Sequence, residues 1–297
     1  GRCARIAYNL ARLRHIGGMK ARKNTEKTET KGKKNTRTAI IVGASSGIGR
    51  ETALRLAARG DTVFNLSRTA AKPPVRTVTA DASEEGALTR AVENICKETG
   101  GLDLLVYCAG YSCLAPVACA RSEDYRYLFE VNYFGAVEAL RAAAPFLEKR
   151  GGRAVLVGSM GGELPIPYDG FYCASKAALC MLARETDMEW RARGVRVSAL
   201  LPGGTATGFT DKRTVYSEEE SETYFLALRR SGAALANIEQ GGMNPSLVAD
   251  AVIRLAGRRN PPAVAAAGGK NIFVRAVARM MPERVTDWAV RRKFNQR

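Results

Sequence analysis

From residue 38 onward, short apolar runs alternate with segments long enough for helices, and few folds accept that alternation. The runs at 38–42 (TAIIV), 62–66 (TVFNL), 75–80 (VRTVTA), 102–109 (LDLLVYCA), 153–159 (RAVLVGS), 195–201 (VRVSALL) and 262–268 (PAVAAAG) read as seven strands. Helical stretches lie between them near 47–59, 84–99, 123–149, 170–193, 215–235 and 245–257, with Ser83 and Ser122 as candidate N-caps. A helix between successive strands is the crossover that parallel pairing requires. The expectation is an α/β fold, a doubly wound parallel sheet of about seven strands with helices on both faces, in a single domain.

The 297 residues, 46% of them hydrophobic, suffice for one large core. We read a basic N-terminal tail at 1–37, a folded domain at 38–269 and a basic amphipathic C-terminal helical extension at 270–297. The formal charge of +17 belongs to the ends. Residues 1–38 carry 12 Lys/Arg against 2 acids, residues 270–297 carry 8 against 2, and the middle is left with 26 against 25. A nearly neutral body offers no basic groove, so no nucleic-acid partner is expected. Within the tail, Arg2, Arg5, Arg12 and Arg14 with Ile6, Leu10 and Leu13 fit a short targeting helix, although serine is absent there. Residues 19–38 are polar and rich in Lys and Thr, a composition of disorder. Met19 leaves it open whether residues 1–18 belong to the native start.

Seven cysteines form no C-x-x-C pair, and their odd number suits a reducing, cytoplasmic setting better than a disulfide framework. The only histidine, His15, lies in the tail, which removes a Ser-His-Asp triad and histidine metal sites from the body. No metal is expected. Acid-base chemistry would fall to Tyr, Lys, Glu or Asp.

The first strand runs into VGASSGIGR, where Gly43, Gly47 and Gly49 stand at the strand-to-helix turn. Glycines there let a backbone approach a pyrophosphate at a helix N-terminus. An acid after the second strand would favour a free ribose 2′-hydroxyl, but that strand ends in Asn65, Ser67 and Arg68. Arg68 can fork onto a 2′-phosphate, so NADP(H) is expected over NAD(H). Further along, YDGFYCASK places Tyr172 and Lys176 at i and i+4, on one helix face. An ammonium beside a phenol favours the phenolate, which makes Tyr172 rather than Tyr168 the candidate acid and base.

These pieces together resemble the classical short-chain dehydrogenase/reductase family, over about Thr38 to Gly268. The order of elements carries the resemblance: the glycine turn, Asp81 after the third strand, YCAG at 107–110, VNYFG with Asn132, Ser159 thirteen residues before Tyr172, Lys176, then PGGTAT at 202–207. The resemblance implies a Rossmann-type fold and a ketone or aldehyde exchanged with an alcohol by hydride transfer. It implies Tyr172 as general acid/base, Ser159 as a hydrogen-bond donor to the same oxygen, Lys176 as modulator of the phenol and ribose partner, and Asn132 as anchor of a proton-relay water. By the same resemblance Gly43, Ser45, Ser46, Gly47, Ile48, Gly49, Ser67, Arg68, Asp81, Ala82, Ala109, Gly110, Tyr172, Lys176, Pro202, Gly203, Thr205 and Thr207 would hold the cofactor. Two positions depart from the family. Val42 replaces a hydroxyl residue before the first glycine, and Tyr107-Cys108 replaces a pair of asparagines; both changes remove hydrogen bonds that tie the cofactor turn to its neighbours.

The segment between Gly203 and Pro261 would cover the substrate, with Phe209, Val215, Tyr216, Tyr224, Phe225 and Leu226 as candidate lining for a hydrophobic small-molecule carbonyl. At the C-terminus Ile272, Phe273, Ala276, Val277, Met280 and Met281 share one helical stripe opposite Arg275 and Arg279. Self-docking, a dimer arm and an interfacial membrane contact all fit that pattern. The family resemblance implies a homodimer or homotetramer built on the helices at 123–149 and 170–193. The reading that competes with an enzyme is a non-catalytic dinucleotide-binding regulator that uses its basic tails on anionic membranes or nucleic acid.

Overall fold

The computed structural model describes residues 36–296, so the readings made for the N-terminal tail lie outside the described residues. Nine strands follow in chain order: β1 (Thr38–Val42), β2 (Thr62–Ser67), β3 (Arg76–Thr79), β4 (Leu104–Tyr107), β5 (Cys113–Leu114), β6 (Arg153–Val157), β7 (Arg196–Leu201), β8 (Thr214–Val215) and β9 (Val264–Ala266). Seven of them form one sheet in the order β3-β2-β1-β4-β6-β7-β9, with every pairing parallel. This is the doubly wound order of a Rossmann-type sheet. β5 and β8 were not expected; two residues each are too few to show a period, and they pair with each other alone.

The helices are α1 (Gly47–Ala58), α2 (Ala87–Thr99), α3 (Ser122–Phe129), α4 (Gly135–Arg150), α5 (Gly170–Trp190), α6 (Glu218–Ser221), α7 (Phe225–Gln240), α8 (Pro245–Ala256), α9 (Gly269–Met280) and α10 (Glu283–Lys293). Every residue of β1, β4 and β7 is buried, as strands covered on both faces must be. On one face Leu88 and Val92 of α2, Ala139 and Leu147 of α4 and Leu179 and Ala183 of α5 pack together. On the other, Ala53 and Leu56 of α1 meet Val248 and Val252 of α8.

Several local expectations are corrected. Ser83 is no cap: its N–H and hydroxyl both donate to Asp81, at 2.9 and 2.7 Å, and Gly86 precedes α2. Ser122 opens α3 without a side-chain cap, after Arg121. The helix expected at 123–149 is present without a gap from Ser122 to Arg150, with a π-turn at Glu130–Phe134 inside it. The helix expected at 215–235 begins instead as β8, then the short α6 capped by Ser217 and Glu220, and only then α7. The C-terminal extension is two helices, because Pro282 has no N–H to continue α9 and holds Met281 extended at ψ 146°.

The long α5 is fastened to the sheet by a buried ion pair. Arg196 donates from Nε to Asp187 Oδ1 at 2.7 Å and from Nη2 to Oδ2 at 3.2 Å, and the Val197 N–H donates to Oδ1 at 3.1 Å. Burial works against the Asp187 carboxylate, yet the two arginines Arg196 and Arg191 and the Val197 N–H hold its pKa below the usual value. Asp187→Ala leaves the Arg196 guanidinium its bonds to Asn260 and the Pro261 carbonyl but removes its buried counter-charge, and is expected to cost about 3 kcal/mol in urea unfolding. Because the native pKa is depressed, the contribution is full above the ordinary carboxylate range and is lost as pH falls through the native value; unfolding midpoints taken down from pH 7 should therefore converge for wild type and Asp187→Ala.

Candidate active site

The strand order reverses between β1 and β4, so their C-terminal ends open a crevice. The glycine turn lies there, and its geometry accepts no side chains. Gly43 has φ +89°, and a Cβ on it would stand 2.9 Å from the Ala109 nitrogen. A Cβ on Gly49 would stand 2.1 Å from the Gly43 carbonyl oxygen. Gly47 has φ +55°, with Thr207 closing over it at 3.4 Å from where its Cβ would be. The first turn of α1 carries no acid, and the N-cap Ser46 makes no capping bond with its side chain. A positive helix end and an uncommitted hydroxyl thus face the crevice, an arrangement suited to a pyrophosphate.

The two departures from the family pattern are made good by other atoms. With Val42 unable to bond, the buried Asn65 accepts the Ala44 N–H at 2.8 Å and donates from Nδ2 to Ser67 Oγ at 3.0 Å and the Thr69 carbonyl at 3.1 Å. Tyr107, fully buried, donates its hydroxyl to the Val131 carbonyl inside the π-turn. Gly135 leaves the room this needs; a Cβ there would lie 2.5 Å from that hydroxyl.

At the far end of the crevice Arg68 is largely exposed, with Nη1 3.2 Å from the Tyr127 hydroxyl and 3.5 Å from Asp81 Oδ2. Burial raises the Asp81 pKa, but the Ser83 hydrogen bonds and Arg68 outweigh it and leave the carboxyl below its usual value. Tyr127 had no signal in the sequence. It comes from α3 and meets Arg68 only through the tertiary fold.

Ser159, Tyr172 and Lys176 meet beyond the ends of β6 and β7. Ser159 Oγ accepts the Gly161 N–H at 3.0 Å. Lys176 Nζ donates to the Val157 carbonyl at 3.2 Å and lies 5.6 Å from the centroid of the Tyr172 ring. The Phe209 ring covers Tyr172 with centroids 6.0 Å apart. Burial dominates both ionisations: it pushes the Tyr172 phenol up, opposed by the Ser159 hydroxyl, and pushes Lys176 down to about 8. Burial is the largest influence on the phenol in this arrangement, and Lys176 is not among the groups that shift it. Asn132 is fully buried in the π-turn, accepting the Tyr111 N–H at 2.7 Å and donating to the Tyr111 carbonyl and Ser175 Oγ, each at 2.9 Å. Its Oδ1 and Lys176 Nζ lie 3.6 and 3.5 Å from where a Cβ on Gly110 would stand. Tyr168, at φ +66°, does not line the cavity that Tyr172 lines; both phenols pack against the cluster of Tyr216 and Leu228.

One cavity of about 1980 Å³ is lined by every residue expected to hold the cofactor, and by Ser159, Tyr172 and Lys176. Asn132 sits behind its wall. Of the six residues expected at the substrate end only Phe209 lines it. Tyr216 is buried in the Tyr168 cluster, while Val215, Tyr224 and Leu226 are exposed. The lining comes instead from Ala234 and Ile238 on α7, Val277 on α9 and Val290 on α10, with Met281 between the last two. The C-terminal stripe held a partial signal for this, since it contains Phe273, Val277 and Met281.

The family described as short chain dehydrogenase matches residues 37–217. The 3-ketodihydrosphingosine reductase of Bacteroides thetaiotaomicron is 33% identical over 230 residues, which make up 75% of this chain and 84% of that protein. The NADPH-dependent 1-acyldihydroxyacetone phosphate reductase of Saccharomyces cerevisiae is 33% identical over 187 residues, 59% of this chain and 63% of that protein, so the match spans less than two thirds of its length. Among solved structures, a short-chain dehydrogenase from Streptomyces avermitilis has a TM-score of 0.73 at 26% identity, over 86% of this chain and 97% of its own.

The tightest point of the crevice is testable alone. Gly49→Ala forces a carbon against the Gly43 carbonyl, and is expected to lower Tm and to abolish the rise in Tm that a nicotinamide dinucleotide gives the wild type. An unchanged rise in a thermal-shift titration would remove the glycine turn from the binding site.

Proposed function

The chain belongs to the short-chain dehydrogenase family, and from that premise we propose that it interconverts a ketone or aldehyde and an alcohol with NADP(H), Tyr172 acting as general acid and base. The observation that carries the reading is the convergence of Ser159, Tyr172, Lys176 and the glycine turn on one cavity. The bound nicotinamide would supply or accept the hydride. In the reducing direction the carbonyl oxygen gains negative charge, and the Tyr172 hydroxyl, kept protonated by burial, hands its proton to that oxygen. The Ser159 hydroxyl donates to the same oxygen. Lys176 stabilises the phenolate left behind, and the family resemblance assigns to Asn132 the water that returns the proton, its own side chain being committed to Tyr111 and Ser175.

Preference for NADP(H) is supported by Arg68, exposed at the cavity rim with no acid at the end of β2. The apolar lining beneath α9 and α10 supports a hydrophobic substrate, a lipid-like ketone in keeping with the names of the two relatives. A homodimer or homotetramer built on α4 and α5 is supported by Phe134 at the end of the π-turn and by Met181 and Met188 on α5, which are 51, 57 and 72% exposed.

Ketone reduction followed at the absorbance of the reduced nicotinamide tests the reading. Tyr172→Phe should abolish turnover while cofactor binding persists, and Tyr168→Phe should keep most activity; equal losses would defeat the assignment. Arg68→Ala is expected to weaken NADPH roughly ten- to a hundred-fold, as a charge-assisted contact to a 2′-phosphate is lost, with NADH nearly unchanged. Wild type binding both cofactors equally would refute the preference. Lys176 loses its charge as pH rises through about 8, so the rate of reduction should fall above that pH, and a rate flat from neutral to alkaline pH would deny the lysine its part.

A further inference from the structure

A surface helix of a folded domain normally turns its apolar stripe toward the core, but α9 does the reverse. Its inward contacts are polar: the Asn271 amide donates to the Ala267 carbonyl at 2.7 Å, and the Arg275 guanidinium forks onto Glu163 at 2.7 and 2.8 Å. Ile272, Phe273, Val277 and Met280 are left 55, 69, 38 and 82% exposed, and no residue of α9 is buried. In α10, Thr286, Val290 and Phe294 follow at intervals of four on the inward side, with Phe294 buried beside Tyr216 and Leu228. Trp288 points outward, 60% exposed, with the Arg292 guanidinium 5.6 Å from its ring centroid. Arg284 and Arg291 flank it at i−4 and i+3 on the same face.

The charge around this apolar surface decides what can cover it. Lys270, Arg279, Arg284, Arg291, Arg292 and Lys293 are exposed, against Glu283 and Asp287. Two copies of such a face would set like charges together, whereas an anionic surface would neutralise them. The mouth of the cavity opens here as well, since Phe273, Val277, Met281 and Val285 both line the cavity and are exposed. Among the described residues no helix is long and apolar enough to cross a membrane, so any seat in lipid is interfacial. We propose that α9 and α10 form a docking face for an anionic lipid bilayer, lying in its headgroup region with the cavity mouth turned toward the lipid. The inference stands apart from the catalytic reading, because it concerns a face and a binding equilibrium that need no turnover.

The test uses the full chain with vesicles of phosphatidylcholine, with and without phosphatidylglycerol. Wild type should sediment with the anionic vesicles and much less with the neutral ones, and added salt should weaken the binding. Ile272→Ser/Met280→Ser/Trp288→Ser, whose three side chains lie outside the cavity lining, should lower the partition coefficient about tenfold or more, with a thermal melt confirming the fold. Arg284→Glu/Arg291→Glu should lower it by about fivefold or more for each arginine. In a Trp190→Phe background the remaining tryptophan, Trp288, should shift its emission to the blue on anionic vesicles and be quenched by brominated lipid, a readout that also decides the case if the triple variant does not fold. The proposal is overturned if the Trp288 emission ignores the vesicles, if the triple variant binds as wild type and binding therefore rests on the basic N-terminal tail alone, or if the triple substitution dissociates an oligomer and leaves lipid binding unchanged.

Discussion

Parallel strands cannot be joined by tight turns, and the helices that join them must cover both faces of the sheet. Every other feature of the molecule follows from that burial. With β1, β4 and β7 sealed above and below, the faces are unavailable for chemistry and only the strand ends remain. The reversal of strand order between β1 and β4 then splays the two neighbouring crossovers apart and leaves a crevice at the carboxyl end. Gly43 and Gly49 allow the first crossover to approach so closely that backbone, not side chain, forms the floor.

The same burial sets the electrostatics of Tyr172 and Lys176. A phenol and an ammonium placed behind a sheet end lose their water, and each is driven toward its neutral form: Tyr172 upward, Lys176 down to about 8. In the reaction proposed, a phenol held neutral and a lysine shifted down to about 8 suit the delivery and recovery of a proton. Hydrogen bonds from neighbouring elements keep this pair in place, since Asn132 ties the π-turn to Ser175 on α5 and Tyr107 ties it to the end of β4.

Much of the site was legible in advance because its signals are local. The glycine turn and Tyr172 with Lys176 each sit within one turn or one helix face, where spacing is geometry, whereas Ser159, thirteen residues earlier and beyond β6, was indicated by the family resemblance. The losses expected from Val42 and Tyr107 were misjudged because their replacements come from elsewhere: Asn65 lies on the adjacent strand, and the Tyr107 hydroxyl reaches a carbonyl opened by a π-turn that no helical period announces. The substrate wall was misplaced for a similar reason. Val215, Tyr224 and Leu226 were judged by composition, but all three are exposed and the wall is left to α7, α9 and α10.

By itself the sequence determined the succession of strands and helices, the parallel sheet, the glycine cradle and the placing of Tyr172 and Lys176 on one helix face, because apolar period, chain length between runs and i, i+4 spacing act within short segments of chain. Only the tertiary structure decided which side chains close the cavity, how the π-turn carries Asn132, and that the apolar stripe of α9 faces out. Those outcomes depend on what each element packs against. The Arg275–Glu163 pair holds the polar side of α9 against the domain and leaves Ile272, Phe273 and Met280 exposed.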